Sequence, residues 1–170
     1  AVVLAVKPQE AARVLPAHAR HAPGAVFLSI MAGRTLGGMR ALLGERAAVV
    51  RAMPNTPAAV RQGVTVACAG PGVDAGQRAL CDGLLGAIGA VAWVEDEALL
   101  DPVTAVSGSG PAYVFLLAEL LERAAIEQGL PADLARLLAR RTVSGSGALL
   151  AASEDDAAAL RRAVTSPRGT

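Results

Sequence analysis

The sequence predicts an α/β fold in which a parallel sheet covered by crossover helices gives way to an all-helical part. Three observations carry that reading. Apolar strand-like runs alternate with amphipathic helix-like runs through the first half of the chain, the strand-like runs stop after Trp93, and the helical second half holds more apolar face than about 70 residues can bury alone.

Residues 2–6 are a continuous apolar run of strand length, and residues 9–20 set Ala12, Val14 and Leu15 among polar neighbours as a helix would. Residues 26–30 and 47–53 return as strands around a helix at 36–43, with Gly24 and Gly44 at the turns. Residues 64–69 read as a further strand, Gly70-Pro71-Gly72 as a turn, 73–88 as a helix and 91–94 as a short strand. From Glu97 onward only helical periods remain: 97–106, 112–128 closed by Gly129, 131–150 opened by Pro131, and 155–164. The expected domain boundary therefore falls near Asp96, giving an α/β part over 1–96 and a helical part over 97–170. Leu116, Leu117, Leu120, Leu121, Leu134, Leu137, Leu138, Val143, Leu149 and Leu150 leave that helical part in need of a second chain.

The chain opens without Met inside a strand-like run and closes inside a loop, so it is expected to be a fragment at both ends. A composition 53% apolar excludes a disordered tail, and a formal charge of +1 with 2% aromatic residues offers neither the basic stripe nor the stacking surface of a nucleic-acid binder. Gly, Pro, Arg or Glu interrupt the apolar stretches every few residues, and no membrane span is expected. Cys68 and Cys81 lack paired spacing and read as buried small hydrophobes in a reducing, cytoplasmic setting. His18 and His21 have no ligand partners at metal spacing, and no nucleophile, base and acid set can be assembled, so no metal and no catalytic residue is assigned.

Ligands of a doubly wound sheet lie beyond the carboxyl ends of its strands, which directs attention to the segments that leave them. Val6-Lys7-Pro8 leaves the first strand, with free carbonyls at Ala5 and Val6 and a cation at Lys7; the alternative is an ordinary proline-led helix start. Ser29-Ile-Met-Ala-Gly33 offers small residues where a backbone could approach a flat ring, or simply a tight turn. Arg51-Ala-Met-Pro-Asn-Thr-Pro57 holds Asn55 and Thr56 between two prolines, where Asn55 either bonds a ligand or caps its own turn. Ser107-Gly-Ser-Gly-Pro111 reads as a loop that aims backbone N–H groups and two hydroxyls at one spot before a helix, or as a glycine seam for close packing. The terminal Thr165-Ser-Pro-Arg-Gly-Thr170 has the same anion-binding character. Trp93 is expected to be a packing anchor.

Taken in order, Ala-Val-Lys-Pro at 5–8, Met-Ala-Gly at 31–33, Met-Pro-Asn-Thr-Pro at 53–57, Ser-Gly-Ser-Gly-Pro-Ala-Tyr at 107–113 and Thr-Ser-Pro at 165–167 resemble pyrroline-5-carboxylate reductase over essentially the whole chain. The resemblance implies a partial Rossmann-like parallel sheet followed by an all-helical dimerisation domain, a homodimer or higher homo-oligomer, and reduction of 1-pyrroline-5-carboxylate to L-proline by NADPH or NADH. It places Ala5, Val6, Lys7, Pro8, Met31, Ala32 and Asn55 along the nicotinamide half of the cofactor. It places Glu97 and Ser109 near the substrate ring, and Ser166, Gly169 and Thr170 on the carboxylate of this cyclic imino acid. Departures from the family pattern are the absent Gly-x-Gly-x-x-Gly turn, Arg168 where the family's loop carries its first glycine, and Ala163 at a position that is often polar. A chain lacking that turn is expected to bind dinucleotide poorly and to be inactive alone. Two other readings are a non-catalytic dimerising remnant and a related imine or hydroxy-acid reductase.

Overall fold

Alternate residues of a strand point to opposite faces of its sheet, and here both faces are apolar, so layers are needed on each side. The computed structural model describes residues 1–166. It divides into two compact units, Ala1–Pro111 and Ala112–Thr170. In the first, strands β1 (Val2–Leu4), β2 (Val26–Ser29), β3 (Ala48–Pro54), β4 (Gly63–Ala69) and β5 (Gly89–Val94) lie side by side in chain order.

The sheet is mixed, not wholly parallel as the sequence predicts. The pairs β1–β2, β2–β3 and β4–β5 are parallel, and β3–β4 is antiparallel. Only residues 55–62 join β3 to β4, and a parallel crossover needs a dozen residues or more, so the chain must turn back on itself. Asn55 and the short 3-10 helix Thr56–Val60 make that turn, with Arg61 in the left-handed region at φ 58.

One sheet face carries Leu4, Phe27, Val49 and Cys68 and buries them against α1 (Ala11–Val14), α2 (Leu36–Leu43) and Leu100. The opposite face carries Val26, Leu28, Val50, Ala52 and Ala67 beneath Cys81 and Leu85 of α3 (Ala75–Gly86). A capping box between Asp74 and Gln77 starts α3, and Thr35 accepts the Gly38 N–H to start α2. The helix expected over 9–20 is instead one α turn between 3-10 segments Pro8–Glu10 and Leu15–His21. Pro16 has no N–H and crowds the preceding turn, which ends the α-helix there. Trp93 does anchor packing: its Nε1 donates to Asp82 at 2.9 Å, and the Arg78 guanidinium lies 4.5 Å from its ring centroid.

Strand gives way to helix at Glu97, whereas the first compact unit runs on to Pro111 because Leu100 is buried in its core. The residues between are a 3-10 turn at Glu97–Leu99, α4 (Leu100–Val103) and a π-helical turn at Thr104–Gly108.

In the second unit, α5 (Gly110–Glu127) closes at Gly129, whose φ of 91 lets Leu130 donate back to the Ala125 carbonyl at 3.1 Å. Then follow α6 (Ala132–Ala152) and α7 (Ala157–Ala163). Arg136 of α6 meets Glu122 of α5 at 3.4 Å. Among the described residues of this unit, Ala135 and Ala139 alone are buried hydrophobics, while Leu117 is 52% and Leu137 53% exposed. The helical run Glu97–Glu127 is, by length and composition, apolar enough to cross a membrane, which corrects the expectation that no stretch would qualify. Val114, Phe115, Leu116, Leu117, Leu120 and Leu121 supply its apolarity, and the Ser, Gly and Pro residues at 107–111 interrupt it without adding charge.

Gly89 has φ 145, and an added Cβ would fall 2.0 Å from the Gly63 carbonyl oxygen. Gly89→Ala is expected to destabilise the protein by about 3 kcal/mol or more in urea unfolding, whereas Gly83→Ala, on the open face of α3, adds up to about 1 kcal/mol. Burial pushes the thiols of Cys68 and Cys81 up, with Glu97 and Glu95 adding to the effect at Cys68. Both should resist alkylation at neutral pH until the chain unfolds. Their contribution to stability is complete below the ordinary thiol pKa of about 8.5 and is lost as pH rises through the raised folded values.

Candidate functional site

Because β1, β2 and β3 are mutually parallel, they end at one edge of the sheet, and the segments that leave them share that edge. Ala5, Val6 and Lys7 are exposed there and Pro8 is half-buried. The Ile30 N–H donates to the Leu4 carbonyl at 3.2 Å, and Arg34 Nε donates to the Pro8 carbonyl at 2.8 Å, so the exits of β1 and β2 are tied together. Lys7 has no ion-pair or side-chain hydrogen-bond partner among the described residues.

At the exit of β2 the side chain of Met31 is 3% exposed and belongs to the core, while Ala32 is exposed and Gly33 turns with φ 69 in open space. Any ligand along this edge would meet the backbone near Met31 and the methyl of Ala32, not the thioether. Asn55, at the exit of β3, accepts the Val64 N–H on Oδ1 at 2.9 Å and so closes the reversal between β3 and β4. That bond uses the amide oxygen and leaves the amide N–H groups without a partner among the described residues.

Ser107 and Gly108 lie in a π turn and Gly110 opens α5, with Ser109 the turn residue between them, which corrects the expected loop of free N–H groups. The Ser109 N–H donates to the Thr104 carbonyl at 2.9 Å, and the hydroxyls of Thr104 and Ser107 donate to the Leu100 and Val103 carbonyls at 2.7 and 3.0 Å. A π turn consumes these groups within the helix. Gly108 instead supplies a close approach, since a Cβ there would lie 3.0 Å from Met53 Cε. Ser109 is half-buried, and its hydroxyl donates to no group among the described residues.

Glu97 is more deeply committed than its sequence position suggests. Its Oε1 accepts from Arg51 Nη1 at 2.8 Å and from the Leu36 N–H at 2.8 Å, so it neutralises a buried guanidinium and satisfies the first free donor of α2. Asp101, one helical turn on, stands 3.6 Å from Arg51 Nη2. Sequence reasoning did not single out Arg51 or Arg34. A charge amid the apolar run 47–53 was the available signal for Arg51; nothing in the sequence pointed to Arg34.

Ser166 is exposed and follows the last turn of α7, where the Thr165 hydroxyl donates to the Arg161 carbonyl at 2.7 Å. Gly169 and Thr170, like Arg168, lie outside the described residues. Among the described residues no cluster of His, Cys, Asp and Glu is arranged to hold a metal ion. A cavity of about 640 Å³ opens between Ala19–Gly24, Leu43–Ala48 and Gln77, at the opposite edge where β2 and β3 begin. It contains none of the groups just described.

Residues 97–170 match the family described as pyrroline-5-carboxylate reductase dimerisation. Over 170 residues the chain is 45% identical to a pyrroline-5-carboxylate reductase of Pseudomonas aeruginosa, and over 169 residues 42% identical to one of Synechocystis, covering 99% of this chain and 62% of each relative. Among solved structures it is similar to a pyrroline-5-carboxylate reductase from Coxiella burnetii (TM-score 0.92, 39% identity, 99% of this chain and 63% of that one). It is also similar to the Plasmodium falciparum pyrroline carboxylate reductase solved with NADP bound (TM-score 0.87, 30% identity, 99% and 66%). The chain thus spans less than two thirds of the length of these relatives, and over nearly all of its own length it is similar in sequence and fold to pyrroline-5-carboxylate reductases.

Proposed function

We propose that the protein carrying this chain reduces 1-pyrroline-5-carboxylate to L-proline with a hydride from NADPH or NADH. The observation that supports this most directly is the shared edge at which β1, β2 and β3 release Ala5–Pro8, Ala32 and Asn55. Small or exposed side chains there leave backbone accessible to a flat ring, Gly33 has open space around it, and Lys7, without a partner among the described residues, is a cation suited to an anionic cofactor. These features fit a nicotinamide dinucleotide, and the NADP in the Plasmodium relative is consistent with one.

The dinucleotide, when bound, supplies the hydride that adds to the imine carbon. The chain's own residues orient and electrostatically support that addition. In this reading the backbone of Ala5, Val6, Pro8, Met31 and Ala32 and the Asn55 amide border the ring, and the Ser109 hydroxyl faces the imino acid. The backbone of Ser166, Gly169 and Thr170 takes its carboxylate. Glu97, held by Arg51 and the Leu36 N–H, serves the site from behind. The helical segment from 97 onward is the dimerisation part, and a second copy covers the leucine face of α5 and α6. Two unpaired buried thiols suit a cytoplasmic location.

The full-length protein is expected to oxidise NADPH or NADH only when 1-pyrroline-5-carboxylate is present, and other cyclic imines should support far less turnover; equal turnover of several imines would overturn the reading. Lys7→Ala should raise the dinucleotide KM about tenfold with no change in thermal midpoint, as expected for loss of one charge-assisted contact. Leu117→Glu with Leu137→Glu should reduce the mass seen by light scattering to that of a monomer.

A further inference from the structure

Arg51 is the single charged residue among the buried polar side chains described, at 6% exposure in the middle of β3. A guanidinium there is tolerable only if paired, and its partners Glu97 and Asp101 are spaced one helical turn apart on the same segment. Glu97 Oε1 is shared with the Leu36 N–H, so β3, the start of α2 and the segment 97–108 meet at one oxygen. A second contact lies two residues further along β3, where Met53 abuts Gly108. Strand periodicity puts Arg51 and Met53 on the same face, and Asn55 is the next residue in that series. Ser109 directly follows Gly108. A shift of the segment by one residue, about 1.5 Å of helix rise, would break the ion pair and displace Ser109 relative to Asn55.

We infer that Arg51 and Glu97 are a positioning pair that registers the segment 97–108 on β3, and that Glu97 influences the reaction through Arg51 without touching the substrate. The inference rests on the reductase reading for its kinetic consequence. In the full-length enzyme, Arg51→Met and Glu97→Gln should each lower kcat about ten- to a hundredfold, the effect of misplacing reacting groups by about 1 Å. The KM for pyrroline-5-carboxylate should stay within about twofold of wild type. The double variant should be no slower than either single one, because both remove the same interaction. Arg51→Lys, which keeps the charge without the fork, should fall between wild type and Arg51→Met. Amide exchange over 97–108 should quicken in Arg51→Met and Glu97→Gln alike, with the strands β2 and β3 unchanged.

A severalfold rise in KM for Glu97→Gln alone would make Glu97 a substrate ligand and overturn the inference. So would independent, multiplying effects in the double variant, or lowered stability with kcat intact. If the wild-type protein does not turn over pyrroline-5-carboxylate, the reductase reading falls, and unchanged exchange over 97–108 would separately overturn the registration itself.

Discussion

A buried guanidinium in the middle of a sheet is the constraint on which the first unit depends. Arg51 replaces what would otherwise be one more aliphatic residue of β3, and its burial requires a carboxylate from elsewhere in the chain. Glu97 meets that requirement and, with the same oxygen, satisfies the first free N–H of α2. Leu100 then enters the apolar core three residues later, and Gly108 settles on Met53. The ion pair therefore places a segment whose own helical turns are irregular, passing from 3-10 through α to π within 97–108. Apolar burial supplies most of the adhesion, and the charge pair supplies the register.

Sheet topology gives the unit its polarity. Three parallel strands deliver their exits to one edge, where exposed backbone, small side chains and an exposed lysine collect. The opposite edge holds a cavity that none of these groups lines. Under the proposed hydride transfer to an imine, which asks little covalent work of a protein, groups such as exposed backbone, one amide and one hydroxyl would be adequate if held in place. The second unit is organised differently. Two alanines are buried, the leucines face outward, and the helices have the composition of an interface.

Much of this was legible in the residues themselves. The helix at 36–43, the strands near 26–30, 47–53 and 64–69, and the change to helix at Glu97 follow from apolar periodicity and turn residues, which act over a few neighbouring positions. The motifs at 5–8, 31–33, 53–57 and 107–113 pointed to the family because their order and spacing are properties of the chain alone. The leucine surplus of 116–150 likewise announced a face too large for the unit that carries it.

Tertiary structure decided the rest. Periodicity identifies strands without their direction, so the reversal at β3–β4 depended on how few residues the turn at 55–62 could use. Glycine and serine at 107–110 have weak local preferences, and packing against Met53 drew them into a π turn where composition suggested a loop. Glu97 was recognised as a carboxylate of interest, but its partners are 46 and 61 residues away in sequence. Local propensity acts between near neighbours, whereas ion pairing and close packing act between whatever the fold brings within a few ångströms; the residues alone therefore named the elements and the family, and the folded chain alone paired Arg51 with Glu97.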